Sequence, residues 1–188
     1  METTNVTIDS TGYTQFDHPI KAEYISLNYI NLYQVAYNIP TDAGHIDSKR
    51  NKITIPAGYY TQKELESKLE GNLQINPNTS KVTLKGGLTG GLSKLIEKEH
   101  IYITPLGYNI YVDGIDTTNN LYKGKRSSLL TSIPIGKAGF GSMLTYEPQN
   151  NIYKKLYSND KIDGINIRIT DLYDNDYKQR FIAEFTFK

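Results

Sequence analysis

A chain of 188 residues is long enough for one well-cored domain and short for two. Its formal net charge of +1 offers no broad electrostatic footprint for nucleic acid, so nucleic-acid contact is not expected. It has no cysteine, which excludes disulfides and thiolate metal sites, and no apolar run near the ~20 residues a membrane-spanning helix needs.

Met1 to Asp17 is rich in Thr, Ser and Asn and has neither the basic start nor the apolar core of a secretory leader. It reads as an N-terminal arm, residues 1–17, in which Val6 and Ile8 alternate briefly and are suited to pairing with a sheet edge. Pro19 opens a long segment, Ile20 to Ile39. There the apolar positions change parity after a few residues, which predicts a bulge or bend inside a strand. Pro40 to Arg50 is a polar loop.

Asn51 to Pro56 reads as a strand that stops at Pro56-Ala57-Gly58. Thr61 followed by Glu64 fits a capping box: the threonine hydroxyl accepts from the Glu64 amide and the carboxylate returns to the Thr61 amide. Tyr60 and Leu65 are placed for a hydrophobic staple, Leu65 and Leu69 share a face, and Gly71 is a stop signal. A short one-sided helix is therefore expected near 61–70.

Leu73 and Ile75, the turn Asn76-Pro77-Asn78-Thr79, then Val82 and Leu84 read as a hairpin. Gly86-Gly87 and Gly90-Gly91 bracket a joint, Leu92 to Glu99 is a candidate second helix, and Ile101 to Ile103 a candidate strand. Tyr108 to Val112, Ser128 to Ile135 and Met143 to Tyr146 read as strands, with 113–126 a loop. Ile165, Ile167 and Ile169 alternate against Asn166, Arg168 and Thr170. Phe181, Ala183, Phe185 and Phe187 alternate after a turn-rich loop. The pair reads as a hairpin with one buried face. The whole is an all-β pattern of about eight antiparallel strands with one or two short helices, and no second domain is legible.

Chemistry is sparse. His18, His45 and His100 lie far apart with no second ligand at helical or strand spacing, and no nucleophile elbow is present. The glycine-rich pieces 86–91 and 136–141 lack the Lys-Ser/Thr of a phosphate loop. The Asp-rich stretches 160–164 and 171–176 lack calcium-loop spacing and read as Asx turns. Lys123-Gly124-Lys125-Arg126 reads as a small basic loop. No residue stands out as catalytic, cofactor-binding or metal-ligating, no cofactor is expected, and the chain is not expected to be an enzyme. Sixteen Tyr against five Phe and no Trp suit half-buried strands and interfaces in which a ring is covered while its hydroxyl stays hydrated.

Three pieces together resemble a known family: Ile53-Thr54-Ile55-Pro56-Ala57-Gly58-Tyr59-Tyr60-Thr61 with Glu64-Leu65, Leu144-Thr145-Tyr146-Glu147-Pro148, and Ile167-Arg168-Ile169-Thr170-Asp171. The resemblance is to the single jelly-roll penton proteins, or minor capsid proteins, of virophages and Polinton-like viruses, over roughly residues 20–188. It implies one jelly-roll β-sandwich over residues 18–188. It also implies a capsid penton subunit that assembles as a homopentamer at icosahedral vertices beside the major capsid protein. The location would be the virion, after assembly inside the host cell without secretion. Such pentons often carry an additional inserted or appended domain, and none is evident in this sequence. Two other readings stand beside it: a lectin-like β-sandwich that binds a glycan or receptor, and a fragment or relative of a double jelly-roll major capsid protein.

Overall fold

The computed structural model describes residues 3–39, 45–47, 52–85, 107–136, 138–157 and 161–188. The expected glycine joint at 86–91, the second helix at 92–99 and the strand at 101–103 lie outside them. In chain order the strands are β1 (Thr4–Ile8), β2 (Gly12–Lys21), β3 (Tyr24–Tyr33), β4 (His45–Asp47), β5 (Lys52–Thr54), β6 (Leu73–Ile75), β7 (Val82–Leu84) and β8 (Gly107–Val112). They continue with β9 (Leu121–Tyr122), β10 (Lys125–Arg126), β11 (Leu129–Pro134), β12 (Met143–Tyr146), β13 (Lys154–Lys155), β14 (Lys161–Asp171) and β15 (Phe181–Phe187). The helix α1 (Gln62–Lys68) lies between β5 and β6.

The chain divides into two compact units, Met1–Gln34 with Gly107–Lys188, and Val35–Leu106. The first holds two antiparallel sheets. One runs β1-β15-β3-β12, with β13 also on β3, and the other runs β11-β8-β14-β2. Counting only these long strands in chain order, the first sheet takes the first, eighth, third and sixth, and the second takes the fifth, fourth, seventh and second. That interleaving is the eight-stranded jelly roll.

Alternation explains the core. Phe181, Ala183, Phe185 and Phe187 of β15 are buried, as are Ile165, Ile167 and Ile169 of β14 and Ile110 and Val112 of β8. These last two long strands do not form the expected hairpin with each other. β15 pairs with β1 and β3, whereas β14 pairs with β2 and β8. The loop 172–180 carries the chain from one sheet to the other, so the two apolar faces meet across the core. The same alternation serves either arrangement, and only the length of the connection separates them.

The parity change in β3 is a bulge. Glu184 pairs with Tyr29 and Phe185 with Leu27, leaving Asn28 as the extra residue. Before it Ile25 and Leu27 are buried, after it Ile30 and Leu32. A larger irregularity interrupts β2, where Phe16 to Pro19 stand opposite the single residue Asp163. Pro19 has no N–H to give a ladder. The Phe16 ring sits edge-on to Phe187, centroids 5.6 Å apart, tying β2 to the other sheet.

The expected arm, 1–17, is built into the sandwich: β1 pairs with β15 over its whole length, and the boundary at 17/18 falls inside β2. Few apolar residues sufficed because Ile8 alone of β1 is fully buried. The expected undivided domain over 18–188 also differs from the observed packing. Val35–Leu106 closes on a core of its own, formed by Ile39, Ile55, Leu65, Leu69, Leu73 and Val82. The reason lies in α1, whose single apolar face buries Leu65 and Leu69 on the β6–β7 hairpin within that unit. The loop expected at 113–126 contains the β9–β10 hairpin, turned at Lys123-Gly124 with both φ positive.

Gly107 marks one very close approach in the second sheet and Gly164 another. A Cβ at Gly164 would lie 2.4 Å from the Thr14 carbonyl oxygen, whereas a Cβ at Gly139 meets nothing within 4 Å. Gly164→Ala is expected to cost about 1–3 kcal/mol through overpacking, and Gly139→Ala close to nothing. Thermal unfolding of the two variants beside the parent chain measures the difference.

Candidate assembly and binding surfaces

The outer face of the β1-β15-β3 sheet carries a polar lattice over half its length. The Thr186 hydroxyl lies 2.8 Å from Asn5 Oδ1 and 2.7 Å from Asn28 Oδ1. The Asn28 amide nitrogen donates to Glu184 at 2.8 Å, and Asn151 donates to Asn28 Oδ1 at 3.3 Å. The bulge is what turns Asn28 into this lattice. Asn151 in turn spans the gap on the β3 edge between β12, which pairs with Ile30 to Tyr33, and β13, which pairs with Tyr24 and Ile25.

The outer face of the other sheet is roofed. All six residues of β8 are buried, although only every second one faces the core. The β9–β10 hairpin supplies the cover, with Asn109 donating to the Tyr122 hydroxyl at 3.0 Å and Ser132 donating to Asn109 at 2.7 Å. Arg168 stacks over the Tyr111 ring at 4.8 Å and reaches Asp176 at 3.5 Å. Burial is the first cause that pushes the Tyr111 hydroxyl above its ordinary value, with the nearby Asp174 carboxylate adding to it. The basic loop foreseen at 123–126 is thus a structural hairpin. Lys123 lies over the Tyr122 ring and beside Asp174, while Lys125 and Arg126 are exposed.

At one end of the sandwich three tyrosines and a glutamine fasten the sheets. The Tyr177 hydroxyl accepts from the Tyr33 amide at 2.9 Å and donates to the Arg180 carbonyl at 3.0 Å. Tyr108, edge-on to Tyr177, donates to Gln34 at 3.0 Å. Burial raises the Tyr177 pKa. Tyrosine abundance was legible in the sequence, but this role was not, because the Tyr33 amide and the Gln34 side chain lie far along the chain from Tyr177 and Tyr108.

The residues weighed for chemistry find structural roles. Asp171 accepts from the Tyr173 and Asn175 amides and the Asn175 side chain, an Asx turn with its acceptors filled. Residues 161–164 belong to β14, and His18 to β2. Gly141 donates its amide to the Gln34 carbonyl at 2.7 Å as part of a turn before β12. Among the described residues no group of three or more His, Cys, Asp or Glu is placed to hold a metal ion, and no helix is long and apolar enough to cross a membrane.

In the second unit the capping box forms as expected. Thr61 N–H donates to Glu64 Oε2 at 2.7 Å, and the Glu64 amide is 3.4 Å from Thr61 Oγ1. Asn38 brackets Tyr60, accepting from its amide at 2.9 Å and donating to its carbonyl at 2.7 Å. The Tyr60 ring packs against the core that holds Leu65.

No protein-family model and no curated protein matches this sequence. Among solved structures the chain is similar to the mavirus penton protein, in a crystal structure of its selenomethionine form. The TM-score is 0.54 at 9% identity, and the match covers 99% of this chain and 98% of that one. At that identity the likeness is one of fold. The jelly roll implied by the short motifs is therefore present, and the similarity to a virophage penton spans both units of the chain.

The Thr61 bonds, backbone first and then hydroxyl, hold the Glu64 carboxyl below the usual carboxylate range. A depressed folded-state value stabilises above the unfolded value and is lost as pH falls through the folded one. The start of α1 should accordingly open at acidic pH. The protection of the Glu64 and Leu65 amides against exchange should fall as pH drops through the depressed Glu64 value, and Glu64→Gln should remove that pH dependence. Thr61→Ala should cost about 1 kcal/mol at neutral pH.

Proposed function

We propose that this protein is a capsid structural protein, a penton subunit that assembles as a homopentamer at the fivefold vertices of an icosahedral shell. The observation that carries the reading is the interleaved eight-strand order, joined to a likeness to the mavirus penton protein that runs nearly the full length of both chains. The site-level chemistry supports assembly over catalysis. The polar clusters on both sheet faces are filled by Asn, Thr, Ser and Tyr groups bonded to one another, which sets surface shape.

A closed ring needs two different faces on each subunit, one meeting the other around the axis. The sandwich offers four edge strands, β1 and β12 on one sheet and β2 and β11 on the other. With the N-terminal strand built into its own sheet, contact with the neighbouring major capsid protein falls to loops and to these edges, by side-chain packing or strand addition. The capsid vertices of the virion are the location this reading assigns.

Light scattering on the purified chain is expected to give the mass of five copies of a 21.3 kDa subunit, and negative-stain images should show fivefold rings. A chain that stays monomeric at high concentration, with no ring in the images, contradicts the proposal.

A further inference from the structure

One half of the outer face of the β1-β15-β3-β12 sheet is not closed by the polar lattice. A groove of about 680 Å³ lies there, with Leu32 and Phe181 among its lining residues. Tyr33, Met143 and Ile182 line it and are 42, 57 and 48% exposed. Register explains why they share a face: Met143 pairs with Tyr33, Ile182 pairs with Asn31, and Asn31 and Tyr33 are two residues apart on β3.

Four polar residues complete the lining: Asp9 and Ser10 from the β1–β2 turn, Arg180 just before β15, and Asn31. Among the described residues neither the Asp9 carboxylate nor the Arg180 guanidinium has a hydrogen-bond or ion-pair partner. The Asn31 amide oxygen is shielded from solvent and has no partner either. An acceptor left so costs about 1–3 kcal/mol. The terminal amide torsion of asparagine is broad, so a modest turn presents this oxygen to the groove.

We propose that the groove binds a neutral carbohydrate of one or two rings. A sugar is amphipathic in the way the groove is. Its C–H face packs on the Tyr33 ring and the Met143 and Ile182 side chains, as apolar and aromatic linings favour. Its vicinal hydroxyls donate to Asp9 and Asn31 and accept from the Arg180 guanidinium, which gives all three groups partners. A purely apolar occupant would desolvate Asp9 and Arg180 without return. A charged one would satisfy either of them and be repelled by the other. The volume lies within the 300–1,000 Å³ typical of small-ligand sites.

The test is a glycan array probed with the whole chain, followed by NMR titration of the best neutral sugar. Saturable binding is expected. Asp9→Asn and Arg180→Met should each weaken it at least 10-fold, and Tyr33→Ala more. Arg180→Met leaves the backbone carbonyl that Tyr177 uses, and circular dichroism checks that each variant is folded. Tyr157→Ser, at an exposed tyrosine outside the groove, should change nothing. The proposal is overturned if no neutral sugar binds, if only charged glycans or peptides bind, or if binding survives the groove variants. Light scattering on the same samples reports assembly separately, so absence of sugar binding by the parent chain in an intact ring counts against the groove alone.

Discussion

The first unit depends on one constraint: β14 and β15, consecutive in the chain, must lay their alternating apolar faces against each other from opposite sheets. Ile165, Ile167 and Ile169 on one side and Phe181, Ala183, Phe185 and Phe187 on the other are all buried. Full burial of one such side chain is worth about 1.5–3 kcal/mol. Once these two strands lie in different sheets, the remaining order follows. β3 takes the inner place beside β15, β8 takes the inner place beside β14, and β1, β2, β11 and β12 are left as edges.

Polar groups then fix what hydrophobic burial leaves loose. A sheet slipped by one residue would turn every core side chain outward. Asn28, extruded by the bulge in β3, bonds to Glu184 and Thr186 of β15 and so holds the register there. Tyr108 and Tyr177 do the same at the far end, reaching backbone and side-chain groups next to β3. Gly164 and Gly107 admit neighbouring carbonyls where any side chain would collide. The surfaces that remain are defined loops and edges on a fixed frame.

Much of this was legible in residue order. The strands at Met143–Tyr146 and Phe181–Phe187, the capping box at Thr61, the hairpin at 73–84 and the parity break in β3 all leave local periodic or turn signals. What stayed hidden is non-local. Alternation in β14 and β15 is the same whether they pair or face each other. Thr4–Ile8 looks like a polar arm because an edge strand needs only one buried face, and Ile8 fills most of that need. Among the described residues, the separate core of Val35–Leu106 is built from six residues spread between Ile39 and Val82, with no break in composition to mark it. The groove beside Asn31 was invisible for the same reason: its lining comes from three strands and two turns.

The central claim is that this sandwich is a vertex protein of an icosahedral shell. A cryo-electron reconstruction of particles containing the chain tests it most directly. The account predicts density at the fivefold vertices into which five copies of the two four-stranded sheets fit, with the inserted Val35–Leu106 unit visible on each. Vertices filled by another chain, or particles from which this chain is absent, would contradict it.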